Sequence, residues 1–302
     1  MKKYILFFTM IFTTLSISNI VGEIEANKSN EGKKRILIGS PVHQKPNILK
    51  EFLESLENLN KDNFEISYYF VDDNAIEESS TLLKAFIQTK SNESVIEVSD
   101  RNNSEKYTCN ETTHFWSDNL VAKVAGFKNN IIKYADEKNF DYLFLIDSDM
   151  VLNPKTLKHL VSVNKDIVSN IFWTSWQPNT SQLPNAWLYD LYTLYRKNSK
   201  SETVPQEEQA KRSIEFLSQL KQPGTYEVGG LCGCTLVSNK AIKKGASFKD
   251  IKNLTFWGED RYFCIRATVL EIPLYIDTHY PAFHIYRESD LNNVEEYKQK
   301  NR

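Results

Sequence analysis

Two aspartates separated by one serine end an apolar run of the sequence. The stretch LFLIDSDMVL (143–152) contains Asp147 and Asp149. Two carboxylates at the end of a buried strand repel each other and resist desolvation, and a cation beside them offsets that cost. Aspartate oxygens suit hard cations such as Mg²⁺ and Mn²⁺, which commonly bridge to substrate phosphates. The pair therefore indicates a divalent-cation site, and the alternative is a solvated pair that caps the following turn.

Two further acidic pairs occupy comparable positions. VDDN (71–74) places Asp72 and Asp73 after an apolar run, where they could hydrogen-bond a ribose or a base, or cap a helix. FWGED (256–260) places Glu259 and Asp260 at the start of a predicted helix. The dipole of that helix favours acids there for purely structural reasons. It also predicts that Asp260 stays ionised, which suits a general base.

Two histidines lie in DTHYPAFHIYRE (277–288), which we interpret as a loop after the last strand. An imidazole nitrogen from this segment could complete a cation site. The sequence leaves the choice between His279 and His284 open.

The elements around these motifs alternate between apolar bursts and helical periodicity. Strands are predicted at 35–41, 64–74, 94–99 and 140–150, and helices at 46–59, 75–90 and 116–138. This rhythm is typical of an α/β fold with a mostly parallel sheet flanked by helices. Ligands bind such sheets at the carboxyl ends of the strands, which is where Asp147 and Asp149 fall.

The second half of the chain has a less regular pattern. A helix is predicted at 153–161, a strand at 165–173, a helix near 206–220, a strand at 225–239, and a turn, helix and final strand over 256–277. On one continuous strand Cys232 and Cys234 would face the same side. A disulfide involving Cys109 stays possible if the domain is exported.

Composition and the N-terminus indicate the class of protein and its location. The chain has 302 residues, 41% of them hydrophobic, and a net charge of −2, so no nucleic-acid partner is expected. Two lysines precede an uncharged apolar segment, so residues 1–21 are predicted to be a signal peptide or a membrane anchor. The domain would then be exported through the secretory pathway or membrane-anchored. Residues 22–34 are a predicted linker, 35–290 the main domain and 291–302 a C-terminal tail.

In their order along the chain, these motifs resemble a glycosyltransferase of the GT-A fold, closest to family 2. ILIGSPVHQKP (36–46), with Pro41 and His43, resembles the first strand and nucleotide loop. VDDN resembles the pair that contacts base and ribose, with Asp73 the better match, although Asn74 replaces the usual glycine. DSD (147–149) resembles the D-x-D motif that holds the metal and the diphosphate.

The later motifs extend this resemblance. WGED (257–260) resembles the motif that carries the catalytic base, and GGLCGCTLVSNKAI (229–242) resembles the acceptor-side strand. His284 lies where such enzymes place a late metal ligand, and Lys123 resembles a basic residue near the diphosphate. The tryptophans and glycine predicted to contact the acceptor are Trp173, Trp176, Trp187, Gly230 and Trp257. The first three belong to an aromatic-rich stretch, 173–196, for which core and lid packing is the alternative.

The resemblance implies a metal-dependent transfer of a sugar from a nucleotide-diphosphate sugar to a hydroxyl of a glycan, glycolipid or glycoprotein. It implies Mn²⁺ or Mg²⁺ as cofactor, with Asp147, Asp149 and His284 as ligands. Asp260 would be the base and Glu259 would bind the acceptor, with inversion expected and retention still open.

Two other functions fit parts of the pattern. In a haloacid-dehalogenase-type phosphatase Asp147 would be the nucleophile. The D-x-D motif of such phosphatases usually follows the first strand of the sheet, whereas three predicted strands precede Asp147 in this chain. A non-catalytic protein that binds sugar nucleotides is the other possibility, and the full set of acidic motifs argues against it.

Overall fold

A computed structural model describes residues 32–100, 107–254 and 258–301. Residues 35–302 form one unit of the chain. The predicted signal peptide or anchor, most of the predicted linker and Trp257 lie outside the described residues. Within the described ranges, no helix combines the length and apolarity that crossing a membrane requires.

Most of the described strands belong to one mixed sheet, whose main path runs β11-β14-β8-β13-β6-β1-β2-β3. The strands are β1 (Lys34–Val42), β2 (Phe64–Asp72), β3 (Val95–Val98), β4 (Thr108–Cys109), β5 (His114–Phe115), β6 (Tyr142–Ile146), β7 (Met150–Val151), β8 (Ile167–Thr174), β9 (Leu183–Pro184), β10 (Ala186–Trp187), β11 (Thr225–Val228), β12 (Gly230–Leu231), β13 (Cys234–Ser238) and β14 (Leu274–His284). Parallel pairs join β1 to β6, β2 to β3 and β8 to β14. Strand β13 runs antiparallel between β6 and β8, which therefore point the same way.

Helices cover both faces of this sheet, as the α/β pattern predicts. They are α1 (Pro46–Glu57), α2 (Glu77–Ile87), α3 (Asp118–Glu137), α4 (Thr156–Ser162), α5 (Gln206–Leu220), α6 (Asn239–Lys244), α7 (Glu259–Val269) and α8 (Val294–Lys300). Strand residues alternate between the two faces. Leu37 packs into the core that contains Ile131 of α3, whereas Ile36 and Ile38 pack into the core that contains Phe52 of α1.

Helix α3 approaches the sheet closely because β1 carries a glycine beneath it. A Cβ atom at Gly39 would lie 2.4 Å from a side-chain carbon of Ile131. This close packing fixes the position of α3, and with it the side chains that α3 directs towards the end of the sheet.

The predicted strand at 225–239 is divided into β11, β12 and β13. Gly233 has φ +77°, a left-handed conformation that breaks the extended run between β12 and β13. Cys232 and Cys234 therefore do not share one continuous strand, and the prediction that they face one side on that basis is wrong. All four cysteines are free, so Cys109 forms no disulfide.

The last strand is longer than predicted. Strand β14 continues to His284 because its second part pairs again with β8 and also with β7. His279 and His284 consequently lie on a strand, and the interpretation of this segment as a loop is wrong. Beyond it, a 3-10 helix (Glu288–Asn293) leads into α8. Val294 of α8 is buried, and Lys298 forms ion pairs with Glu51 and Glu54 of α1.

Candidate active site

Four strands end at one edge of the sheet and surround a cavity of about 620 Å³. They are β1, β6, β8 and β14, which all point the same way. Asp147 follows β6 directly, and its backbone N–H donates to the carbonyl of Gly233 at 2.8 Å. The turn that carries both aspartates is therefore tied to the start of β13. The site lies at the carboxyl ends of parallel strands, as the sequence predicts.

A buried lysine lies among three of the predicted acids. The Nζ atom of Lys128 on α3 is 2.9 Å from Glu259 Oε1, 3.1 Å from Asp260 Oδ1 and 3.6 Å from Asp147 Oδ1. Its side chain is only 3% exposed. We call Lys128, Glu259, Asp260 and Asp147 the lysine–acid cluster. The lysine is the buried cation that allows the largely buried Glu259 and Asp260 to lie together, beside Asp147, whose side chain is 40% exposed.

The cluster shifts the proton affinities of its members. Burial, followed by the charge of Glu259, raises the pKa of Asp260 to about 8, against the opposing effect of Lys128. Burial also raises the pKa of Asp147, with Asp149 and Glu259 adding to it and Lys128 opposing it. Burial alone would lower the pKa of Lys128, but the three carboxylates hold it well above its usual value. The shift of Asp260 is opposite to the one expected from the helix dipole, because desolvation and a second acid outweigh the dipole.

Asp149 lies on the other side of the turn, beside His284. The Nε2 atom of His284 is 3.5 Å from Asp149 Oδ2, and the second oxygen, Oδ1, is buried without a hydrogen-bond partner. The Nδ1 atom of His284 is 2.7 Å from the hydroxyl of Thr174. If Nδ1–H donates to that hydroxyl, the Nε2 lone pair is left on the side of Asp149. Despite burial, the imidazoles of His284 and His114 keep the pKa of Asp149 below its usual value.

These donors fit a divalent cation. Two carboxylates and an imidazole are suitable ligands for Mn²⁺ or Mg²⁺, and the orphaned oxygen of Asp149 is an acceptor that the fold leaves unused. Both aspartates and His284 line the cavity, whereas His279 does not. The position of His284 therefore makes it the histidine available to the predicted cation site.

Asp73 is the member of VDDN that reaches the cavity. Its carboxylate accepts from Lys123 Nζ at 2.8 Å and from the hydroxyl of Ser99, and His43 Nδ1 lies 3.5 Å away. Burial opposes these contacts, but together they lower the pKa of Asp73 to about 2. Lys123 is thus the partner of Asp73, and it does not line the cavity, whereas Pro41 and His43 do.

Asp72 has a structural environment. It is fully buried and accepts from the backbone and side-chain N–H groups of Asn74 and from the hydroxyl of Ser80. Asn74 in turn accepts from the N–H of Gln44 through its side-chain oxygen. Asp72 therefore shapes the loop between β2 and α2, and the structure does not bring it to the cavity.

The predicted acceptor residues divide into two groups. Trp176 and Trp187 line the cavity, and Trp187 packs edge-on against Tyr192 with ring centroids 4.6 Å apart. Trp173 and Gly230 are not among the lining residues. A Cβ atom at Gly230 would meet the Trp187 indole at 2.0 Å, so this glycine makes room for the tryptophan.

Sequence reasoning missed two parts of this site. Lys128 was detectable, because a lysine four residues after Val124 and three before Ile131 lies on the predicted apolar face of its helix. The sequence of the β4–β5 hairpin contains no pattern that predicts a place for it at the cavity. Here the Tyr107 hydroxyl is 2.6 Å from His114 Nδ1, and His114 Nε2–H donates to the carbonyl of Tyr286 at 2.8 Å. Tyr107, His114 and Tyr286 all line the cavity.

Comparisons with known proteins show which proteins this chain is similar to. Residues 33–280 match the model of the glycosyltransferase family 25 N-terminal domain. A curated relative from Aedes aegypti, described as a glycosyltransferase 25 family member, is 29% identical over 138 residues, which cover 45% of this chain and 23% of that protein. This chain therefore aligns with about a quarter of that relative.

Solved structures of S. aureus TarS residues 1–349 also resemble the chain. One has a TM-score of 0.47 at 15% identity and covers 83% of this chain and 60% of that one. The structure in complex with UDP has a TM-score of 0.47 at 14% identity, and the alignment covers 87% of this chain and 64% of the TarS chain. The complex with UDP-GlcNAc has a TM-score of 0.42 at 16% identity.

Proposed function

Since the chain belongs to glycosyltransferase family 25, we propose that its cavity transfers a sugar from a nucleotide-diphosphate sugar to a hydroxyl acceptor, with a divalent cation and inversion at the anomeric carbon. The observation that carries this proposal is the meeting of two groups in one cavity. The Asp149–His284 pair offers cation ligands, and the lysine–acid cluster offers a proton acceptor.

Asp260 is the proposed general base. A carboxylate whose pKa is raised to about 8 holds a proton more tightly than an ordinary aspartate, so it accepts one from a hydroxyl more readily. The acceptor oxygen attacks the anomeric carbon as its proton passes to Asp260, and the bond to the diphosphate breaks on the opposite side. Lys128 donates to Glu259 Oε1 and to Asp260 Oδ1 and so keeps both acids in place. Glu259 is the proposed acceptor-binding residue.

The donor binds across the neighbouring strand ends. We assign the contact with the ribose or base to Asp73, which lines the cavity and accepts from Lys123. Asp147, Asp149 and His284 would hold Mn²⁺ or Mg²⁺, which supplies charge neutralisation of the departing diphosphate. The indole faces of Trp176 and Trp187 give sugar rings an apolar wall with polar edges.

A donor screen tests this function. The protein is incubated with a panel of sugar nucleotides and Mn²⁺ or Mg²⁺, and both thermal stabilisation and release of the nucleoside diphosphate are measured. We expect stabilisation by one class of nucleotide and turnover that a chelator abolishes. NMR of the product then reports the anomeric configuration, for which inversion is expected.

Two outcomes support the other functions. Tight donor binding without turnover in any acceptor screen supports a non-catalytic binding protein. Phosphate release from simple phosphoesters, lost in Asp147→Asn and independent of sugar nucleotides, supports the phosphatase.

A further inference from the structure

A second group of potential metal ligands lies outside the cavity. His159 of α4 and Asp277 and His279 of β14 have one donor atom each within 4.8 Å of one another. Asp277 Oδ2 is 3.1 Å from His159 Nε2 and 3.1 Å from His279 Nδ1. We call these three residues the His–Asp–His cluster. None of them lines the cavity that contains Asp149 and His284.

An irregularity in β14 brings this cluster together. Asp277 pairs with Asn170 of β8, and the next registered pair is Ala282 with Phe172, so β14 has additional residues between the two pairs. These residues bulge from the ladder, which re-aims side chains locally. The backbone N–H of His279 donates to Asp277 Oδ1 at 3.1 Å, and this contact turns the imidazole back onto the carboxylate.

The carboxylate at the centre of the cluster is fully buried and has polar atoms on several sides. Asp277 Oδ2 accepts from the Thr225 hydroxyl at 2.7 Å, in addition to its contacts with both imidazoles. His279 Nδ1 is also 3.2 Å from Oδ1, so both ring nitrogens lie against a carboxylate that already accepts from the Thr225 hydroxyl and the His279 backbone N–H. If either ring nitrogen instead presents its lone pair, the contact with the carboxylate is repulsive unless a cation lies between them.

The two distances from Asp277 to the imidazoles fit a small transition-metal ion. Donor atoms bound at about 2.0–2.2 Å in a tetrahedral Zn²⁺ site lie about 3.3 Å apart. The two 3.1 Å separations need only small adjustments, and the two imidazoles, whose donor atoms lie within 4.8 Å of each other, would close on the ion. The side chain of His279 is 36% exposed, so it can close on an ion that enters from solvent. The Thr225 hydroxyl would then remain on the carboxylate as an outer-shell hydrogen bond, as is usual around metal ligands.

A neighbouring polar atom also lacks a partner. Asn170 is 1% exposed, and its Oδ1 atom has no hydrogen-bond partner. As the registered neighbour of Asp277 in β8, Asn170 places its side chain on the same face of the sheet. Its oxygen is therefore an unused buried acceptor on the face of the sheet that carries Asp277.

We propose that the His–Asp–His cluster is a second metal site, which binds Zn²⁺ or a similar transition-metal ion through His159 Nε2, His279 Nδ1 and the Asp277 carboxylate. The N₂O donor set is borderline soft, which favours Zn²⁺ over Mg²⁺ or Mn²⁺. The ion links α4 to the strand that carries His284, and therefore stabilises this part of the fold.

Zinc titration of a variant that lacks the cavity carboxylate tests the site. Asp149→Ala protein, without an affinity tag and stripped with a chelator, is titrated with Zn²⁺ by calorimetry and thermal unfolding. We expect one equivalent to bind and the unfolding midpoint to rise. Adding His279→Ala is expected to weaken Zn²⁺ binding by about 100-fold or more, since even outer-shell changes cost 10–100-fold.

Matched variants separate this result from general effects. His159→Gln should weaken Zn²⁺ binding as His279→Ala does, whereas Cys109→Ser, which removes an exposed thiol, should leave it unchanged. Circular dichroism of each metal-free variant checks that it folds. Equal Zn²⁺ affinity with and without His279, or no Zn²⁺ binding to the Asp149→Ala protein, overturns the proposal.

Discussion

Replacing Lys128 with methionine should destabilise the protein strongly. The substitution keeps the length of the side chain but leaves the largely buried Glu259 and Asp260 without their cation, and removes it from Asp147, whose side chain is 40% exposed. Breaking a buried ion pair by removing one partner costs about 3–5 kcal/mol. Because Glu259 and Asp260 are largely buried beside the Lys128 ammonium, we expect a loss in the free energy of unfolding within that range at pH 8.

The size of this loss should depend on pH in a defined direction. The pKa of Asp260 is already raised to about 8 while Lys128 is present. Without the lysine this pKa rises above 8, so Asp260 is protonated in both proteins at lower pH and differs between them only above about pH 8. The destabilisation by Lys128→Met should therefore stay nearly constant from pH 5 to pH 7 and grow as pH rises above about 8.

Urea unfolding in the presence of a chelator measures both effects. Lys133→Met is the matched control, because Lys133 lies on the same helix, is 73% exposed and pairs only with Glu137 at 3.7 Å in the described structure. An exposed pair of this type contributes below about 0.5 kcal/mol. Asp260→Asn in the Lys128→Met background should recover part of the loss. A cost no larger than that of Lys133→Met, or one that does not change with pH, refutes the lysine–acid cluster as described.

Three further predictions concern catalysis, the metal and packing. The kcat/KM of transfer should rise with pH through about 8, because the base must be ionised, and Asp260→Asn should remove this limb of the profile. Thr174→Val should raise the Mn²⁺ concentration needed for half-maximal activity by about 10–100-fold, since it removes the hydrogen bond that orients His284; unchanged Mn²⁺ dependence argues against His284 as ligand. Gly39→Ala should destabilise the fold by about 1–3 kcal/mol in urea unfolding, because the new methyl group would lie 2.4 Å from α3. Gly126→Ala is the control, because Gly126 lies in the exposed middle of α3 with open space around it, and it should stabilise the fold by up to about 1 kcal/mol. Equal effects of the two substitutions contradict the close packing of α3 on Gly39.

The sequence predicts the parts of the fold that depend on local pattern. The βαβ rhythm and the position of DSD after a buried strand are sufficient to predict the sheet, its helical layers and the edge where the site lies. Helix α5 begins and ends where the periodicity predicts, at Gln206 and Leu220. The break at Gly233 is harder to predict, because a glycine within an apolar run is compatible with both a strand and a turn.

The missed features depend on contacts between distant residues. Lys128 meets Glu259 and Asp260 more than 130 positions later, so no local rule reveals that the three charges share one buried region. The raised pKa of Asp260 follows from that burial and cannot be deduced from its place at a helix start. Similarly, the extension of β14 to His284 depends on pairing with β7 and β8.

The most direct test of the proposed function compares Asp260→Asn with the wild-type protein at saturating Mn²⁺ and donor. The quantity to measure is the turnover number for sugar transfer, with the dissociation constant of the donor measured alongside it. The loss of the general base should lower turnover by about 10²–10⁴-fold, while donor affinity stays nearly unchanged. Full turnover by Asp260→Asn contradicts the assignment of the base and the catalytic role of the lysine–acid cluster.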